Sequence, residues 1–562
     1  MASSLKSLTL TQDALAAYAS KNSTIKAAHM LKAIFTSPYF IALILGAAAG
    51  FALPPVNSLP LTLGLLSAFF YGFLRLAPSK PAFYSYCFAL GYFLTGLYWI
   101  GNALLVDGND YKWAWPLAVF ALPAVLALFY GASAALILKP FKHADHFTRV
   151  ILFAQSIMIA ELARSFLFTG FPWNLIGTPW ANYLPTIQLA SVIGLFGMTW
   201  LMLIICALFA YGLLSSNMQR KIWSIGAAFI LITLNVVFGV ITLNSVSMAA
   251  KPNLHVIAIQ PNIAQSEKWN PLYAQKNMEK LVRTSEEAIN LAPDKTLPIV
   301  LIWPETALSY HSTERENFFP SLMARLSHDL KNDVNLITGA LTREINTPAQ
   351  RYDYQNVALY IDENGKVAHR YAKTHLVPFG EYIPFQKFIP LKTVTGFNGF
   401  KKGNGGEVFS TKNGLNFMPK ICYEIIFPHE IATTAARYSA SNKAHNAIIH
   451  ITNDGWYGNS SGPHQNQSIA SIRAIESNAH VFRSANKGIS SLISPHGRAL
   501  AKTNLEHRGY ASTDISLDNS NTSIYTRFGI RVVLVLTFMP VLAFLILNGY
   551  KKRSNREKTR LQ

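Results

Sequence analysis

The chain has 562 residues, of which 51% are hydrophobic and only 14% charged, with a formal net charge of +20. A soluble domain carries about 25% charged residues, so this balance excludes an ordinary soluble protein and points to a membrane. The positive charge does not imply nucleic acid, because the basic residues sit in short loops and a tail and form no long basic face.

A polar N-terminal extension, residues 1–37, comes first and is expected to be cytoplasmic; it lacks the pattern of a cleavable signal. An apolar run of about 20 residues crosses a bilayer. About eight such runs are read, at roughly 38–54, 59–77, 82–105, 115–138, 149–169, 187–214, 222–244 and 529–549. They define a membrane domain of seven predicted helices over 38–248 and an eighth helix within 523–550, followed by a basic cytoplasmic tail at 551–562. The first run is short and interrupted by Gly and Pro. Its "GAAAG" (Gly46 to Gly50) fits the small-xxx-small spacing of close helix pairs. Ordinary glycine usage in a membrane helix explains it too and is the reading preferred from sequence.

Lys6, Lys21, Lys26 and Lys32 precede the first run. Arg75 and Lys80, then Lys139, Lys142 and Arg149, then Arg220 and Lys221 mark every second loop, whereas the alternate short loops hold only Lys112. The positive-inside bias therefore places both termini in the cytoplasm and residues 249–522 outside it. In the uncharged loop "FPWNLIGTPWANYLP", Trp173, Trp180 and Tyr183 read as interfacial aromatics. Glu161 and Arg164, one helical turn apart in the fifth run, are expected to pair. Structural and headgroup-positioning roles are weighed equally for them.

Residues 249–522 change character. "LHVIAIQ", "PIVLIW", "VNLITGAL", "NVALYID", "NAIIHIT" and "GISSLIS" read as strands, several of them apolar throughout, as in strands buried on both faces. Helix-like stretches lie between them. In "NQSIASIRAIESNAHVF", Ile469, Ile472, Ile475, Ala479 and Phe482 recur at helical spacing and read as core. The pattern predicts a layered α/β domain.

Two motif matches are set aside. "GNSSG" (Gly458 to Gly462) fits G-x-S-x-G, but no apolar strand leads into its serine. "HEIAT" lacks the second histidine of H-E-x-x-H. The histidines and cysteines show no metal-ligand spacing, so neither metal nor cofactor is expected. Of the three cysteines, Cys87 and Cys206 lie in apolar runs. Cys422, in "NFMPKICYEIIFP", has polar neighbours and reads as either a small buried hydrophobe or a nucleophile. Glu305 and Lys373 share its context, each at the end of a strand-like run, where open α/β sheets gather their sites. Together the three supply a base, a cation and a sulfur nucleophile.

"WPET", "YAKTHLVPFGEYIP" and "KICYEIIFP" resemble the Glu-Lys-Cys motifs of the nitrilase (carbon–nitrogen hydrolase) superfamily. With the membrane runs, "ELARSFLFTGFPWN", "QPNIAQSEKW" and "ITNDGWYG", most of the chain resembles that superfamily's apolipoprotein N-acyltransferase branch. The resemblance implies an αββα sandwich on the periplasmic face of a bacterial inner membrane. It implies Glu305 as general base, Lys373 as oxyanion stabiliser and Cys422 as nucleophile. Glu381, Tyr423 and Glu424 match supporting positions, and Trp269, Asn356 and Trp456 match substrate-lining ones. The implied partners are a phospholipid acyl donor, commonly phosphatidylethanolamine, and a diacylglyceryl apolipoprotein acceptor. Two alternatives stand beside this reading: a membrane-tethered amidase that uses water, and a catalytically inactive protein that binds lipid or lipoprotein.

Overall fold

The computed structural model describes residues 32–561 apart from 107–108, 246–250, 295, 329, 331–332, 347–350, 385–392, 394–398, 441–443 and 518–521. The predicted N-terminal extension therefore lies almost wholly outside the described residues.

Among the described residues seven longer helices come first: α1 (Pro38–Phe51), α2 (Leu59–Leu76), α3 (Pro81–Leu97), α4 (Leu122–Leu138), α5 (His146–Phe166), α6 (Ala190–Leu214) and α7 (Met218–Asn244). Their starts follow local chemistry. The Asp145 carboxylate accepts from the amides of Phe147 (3.0 Å) and Thr148 (3.1 Å) at the head of α5, satisfying donors that the helix leaves orphaned. Six segments among the described residues are long and apolar enough to cross a membrane, namely Leu59–Leu76, Pro81–Leu104, Lys112–Phe141, His146–Phe166, Ala190–Leu214 and Met218–Asn244. The first and last predicted runs form shorter apolar helices, Pro38–Phe51 and Arg531–Leu547. The first stops ahead of Pro54 and Pro55, which cannot continue a helix.

Two sequence expectations are corrected here. The "GAAAG" glycines are contact residues: a Cβ on Gly46 would lie 1.9 Å from the Phe88 carbonyl oxygen of α3. Gly91 on α3 answers it: a Cβ there would lie 2.1 Å from the Leu43 carbonyl oxygen. The backbones of α1 and α3 thus touch, which only glycine permits. Trp173 and Trp180 are not interfacial; both are fully buried, and of the three aromatics singled out only Tyr183 is exposed.

Arg164 explains the inward fold of that loop. Its guanidinium donates to Glu161 Oε2 (2.7 Å) and to the carbonyls of Phe171 (2.5 Å), Trp173 (2.9 Å) and Asn174 (3.2 Å). Tyr130 donates to the other Glu161 oxygen. Both charges are enclosed by protein, so the pair is structural, and the headgroup-positioning alternative has no open face to use.

Twelve strands follow among the described residues: β1 (Leu254–Gln260), β2 (Ile299–Ile302), β3 (Val334–Asn346), β4 (Arg351–Ile361), β5 (Val367–Ala372), β6 (Phe409–Ser410), β7 (Asn416–Ile421), β8 (Ala447–Thr452), β9 (His480–Ala485), β10 (Ser491–Ile493), β11 (Ala499–Lys502) and β12 (Gly509–Ile515). They form two six-stranded sheets, ordered β12-β1-β2-β3-β4-β5 and β11-β10-β9-β8-β7-β6. Each has three central parallel strands with antiparallel neighbours. Alternate residues divide the layers. In β1, Val256 and Ala258 enter the apolar layer between the sheets with Val300, Ile302, Phe417, Ile449 and Ile451. Ile257 and Ile259 point the other way, against α8 (Ala274–Asn290) and α9 (Phe318–Leu326). The second sheet is covered by α10 (Pro428–Ser439) and α11 (Ser461–Ser477). The result is the αββα sandwich expected from the resemblance.

The sandwich is not hung on the membrane helices by a tether alone. Met418, Ile448, Ile469 and Ile472 share one apolar core with Phe153, Trp173, Leu195 and Phe196. Gly194 breaks the start of α6 with a φ of 67°. The Leu195 amide just after the break donates to Glu476 Oε1 of α11 at 2.6 Å.

The "GNSSG" serine does what its loop context suggests: Ser460 caps α11 by accepting from the Gly462 amide. The helical stripe is shorter than expected. Asn478 closes α11 in the left-handed conformation (φ 50°), which asparagine tolerates. Phe482 accordingly lies on β9 and packs between the sheets.

Arg164→Met would strand the Glu161 carboxylate and free three loop carbonyls. Breaking one side of a buried pair costs about 3–5 kcal/mol, so this variant should melt well below the parent in detergent. Glu161→Gln, which keeps a hydrogen-bonding side chain, should fall less far. Equal melting temperatures for both variants and the parent would remove the clamp role.

Candidate active site

Three strand ends converge. β2 delivers Glu305, β5 delivers Lys373 and β7 delivers Cys422, and all three side chains are buried. The Lys373 ammonium lies 2.7 Å from Glu381 Oε1 and 3.6 Å from Glu305 Oε1. Asn356 Nδ2 donates to the same Glu305 oxygen at 2.8 Å, and the Val377 amide donates to Glu381 Oε2 at 2.9 Å. The predicted triad and its companions Glu381 and Asn356 thus occupy one site.

Close backbone packing positions Glu305. Gly339 of β3 lies so near that a Cβ there would sit 2.5 Å from the Pro304 carbonyl oxygen and 2.6 Å from the Glu305 Cα. Only glycine leaves room for the turn carrying the carboxylate.

Glu424 joins the other two strand ends. Its Oε2 accepts from the Ile421 amide (2.8 Å), immediately before Cys422. Its Oε1 gathers the Thr374 amide (2.7 Å), the Thr374 hydroxyl (2.8 Å), the Tyr371 hydroxyl (2.8 Å) and the His375 amide (3.1 Å). One carboxylate therefore sets the turn after Lys373 against the turn that begins at Cys422. Cys422 itself has a φ of 52°, a conformation uncommon for a residue with a side chain and concentrated at functional sites. The Tyr423 side chain points away toward the membrane helices, where its hydroxyl donates to the Gly170 carbonyl at 3.1 Å.

A small open cleft borders Glu305. Trp269 and Trp456 form part of its wall, with Asn356, Glu381 and Phe400. The predicted lining residues are therefore found together, and Trp269 is the exposed one.

The electrostatics follow from burial. The Cys422 thiol is pushed up to about 12, first by loss of solvent and then by the Glu305 carboxylate, with Lys373 opposing. A resting thiol therefore keeps its proton and needs a base to remove it. Burial works against the Lys373 charge, but Glu381 and then Glu305 outweigh it and hold the ammonium charged. The Glu381 carboxyl is raised by burial against the pull of Lys373.

Several residues here escaped the sequence reading. Lys268 Nζ donates to the Glu305 carbonyl at 2.9 Å and lies over the Trp269 ring, 5.7 Å from its centroid. His450 Nε2 is 3.1 Å from the Cys422 carbonyl oxygen, and Arg483 bridges His450 and Asp454. The Tyr457 hydroxyl is 4.0 Å from the Cys422 sulfur. Lys268 and Tyr457 each adjoin a tryptophan that was singled out, but nothing in their own spacing marks them. His450 and Arg483 sit within apolar strand runs, where burial hides their partners.

Comparison with known proteins identifies the family. A family model described as the apolipoprotein N-acyltransferase N-terminal domain matches residues 45–208. A second, described as carbon-nitrogen hydrolase, matches residues 257–525. A protein of Brucella melitensis named apolipoprotein N-acyltransferase is 39% identical over 430 residues, covering 75% of this chain and 77% of that protein. Proteins of the same name from Rickettsia typhi and Agrobacterium fabrum are 32% and 31% identical, covering 82% and 92% of this chain and 89% and 97% of their own. The chain belongs to the apolipoprotein N-acyltransferase family.

Proposed function

We propose that this protein moves an acyl chain from a membrane phospholipid, through a thioester on Cys422, to the α-amine of the S-diacylglyceryl cysteine of an apolipoprotein. The observation that carries the reading is the buried Glu305–Lys373–Cys422 set, built into a domain that shares its core with membrane helices. A soluble hydrolase has no use for that shared core. A site whose donor and acceptor both carry fatty chains must lie at a membrane surface.

In the first half-reaction Glu305 takes the Cys422 proton, and the sulfur attacks the ester carbonyl. The oxyanion forms beside the Lys373 ammonium and the Tyr423 amide. Collapse expels the lysophospholipid alkoxide, which recovers the proton from Glu305. In the second half-reaction the neutral α-amine attacks the thioester, Glu305 accepts an amine proton, and the sulfur leaves and is reprotonated. Asn356 lines the cleft, and its Oδ1 has no hydrogen-bond partner among the described residues, which suits an amine N–H. Phosphatidylethanolamine is the proposed donor. The proposed location is the bacterial inner membrane, with residues 249–522 in the periplasm, consistent with the charge bias of the loops.

With phospholipid alone, the enzyme should release about one lysophospholipid per active site and stall, because water is excluded from the thioester. A diacylated lipopeptide should restart turnover with ping-pong kinetics. Its N-acetylated form should leave the burst and abolish the restart, and Cys422→Ala should show neither. Sustained fatty-acid release without acceptor would identify a hydrolase instead.

The α-amine has a free pKa of about 7.7–8.0 and attacks only when neutral. The restart rate should therefore climb as pH rises through that window and then level, while burst size stays constant. A restart rate that fell with rising pH would contradict amine attack.

Lys373→Arg keeps the charge but replaces a compact ammonium with a wide planar fork. It should cost about 10²–10³ in burst rate, the usual loss for one oxyanion donor, while the protein still inserts. Near-parental bursts would remove Lys373 from that role.

A further inference from the structure

We propose that Tyr457 is a further catalytic residue, whose phenol donates a hydrogen bond to the Cys422 sulfur as the thiolate forms, and that the membrane helices hold it in place to do so. This rests on the thioester reading above.

The hydroxyl lies 4.0 Å from the sulfur, at the outer limit for a hydrogen bond to that atom. That is a loose contact for a neutral thiol, itself a weak donor and acceptor. A thiolate is a stronger acceptor, and charge-assisted bonds shorten. Either group could donate in the resting state, but only the phenol has a proton to give once the sulfur is charged. Burial, followed by the neighbouring Cys422, holds the phenol well above its ordinary range. Tyr457 therefore remains the protonated partner while Glu305 takes the thiol proton.

The ring is fixed from the membrane side. Trp99 meets it edge-on with centroids 4.6 Å apart, and Trp173 does the same at 5.8 Å. Both indole N–H groups donate to Gln465 Oε1, at 3.0 and 2.9 Å, and Gln465 Nε2 donates to the Gly96 carbonyl at 3.1 Å. Asn102 Nδ2 donates to the Tyr457 carbonyl at 2.8 Å. Trp99 and Asn102 come from the helical segment continuing α3, and the Trp173 carbonyl is one of those gathered by Arg164. A continuous line of contacts thus runs from the buried Glu161–Arg164 pair to the reacting sulfur. The same two indoles would leave a phenylalanine at position 457 well packed, so the hydroxyl is separable from the ring.

The test measures alkylation of Cys422 by chloroacetamide in the full-length, detergent-solubilised protein, read by peptide mass spectrometry so that Cys87 and Cys206 are counted separately. Neither phospholipid nor acceptor is needed, so the result stands apart from the identity of the substrates; the parent's lysophospholipid burst reports on those independently. Tyr457→Phe should alkylate about tenfold more slowly than the parent between pH 7 and 9, the loss expected of one hydrogen bond to a charged group. Its burst rate should fall similarly, with the phospholipid KM unchanged. Fluorotyrosines incorporated at position 457 preserve the ring and make the phenol more acidic, and the alkylation rate should rise with each fluorine. A purely structural Tyr457 would give no such trend. Parental alkylation and burst rates in Tyr457→Phe, or fluorotyrosines that all react alike, would overturn the proposal.

Discussion

A lysine ammonium enclosed by protein is costly unless opposite charge follows it inside. Lys373 is almost wholly buried, and Glu381 at 2.7 Å and Glu305 at 3.6 Å keep it charged. Much of the catalytic domain serves to hold that array against Cys422. Gly339 admits the Glu305 turn, the Val377 amide fixes Glu381, and Glu424 ties the end of β5 to the end of β7. The same burial keeps the Cys422 thiol protonated at rest, which suits the proposed role of Glu305 as the base that removes that proton.

The membrane domain enters through packing rather than through the triad itself. The second sheet's helices share an apolar core with α5 and α6, and the Arg164 clamp folds the loop after α5 inward. Trp173 is thereby placed between the helices and Tyr457. The domain that would hold the fatty substrates also shapes the wall beside the nucleophile. This arrangement distinguishes the protein physically from a soluble hydrolase with a lipid anchor added.

Much of this was legible in the sequence because the relevant signals are local. Apolar length marked the long helices and continuous β-branched runs marked the central strands, while Glu305, Lys373 and Cys422 stood out only as a set at strand ends, their roles supplied by the family resemblance. What stayed hidden depended on partners distant in sequence. Trp173 and Trp180 read as interfacial because an uncharged aromatic loop normally is; the three carbonyls collected by Arg164 turn it inward. The Gly46–Gly91 contact needed the pairing of α1 with α3. Phe482 continued a helical stripe that Asn478 in fact ends. Tyr457 carries no spacing signal at all, since its significance lies in a sulfur 35 residues away and in two indoles from the membrane domain.

The central claim is that the acyl chain rests on Cys422, sheltered from water, until an amine arrives. Intact-mass measurement of the purified protein after incubation with phospholipid alone tests it most directly. The expected result is a mass gain of one acyl chain that maps to the Cys422 peptide, persists after excess lipid is removed, and disappears when a diacylated lipopeptide is added. An unmodified mass alongside continuing fatty-acid release, or an acyl group on any other residue, would contradict it.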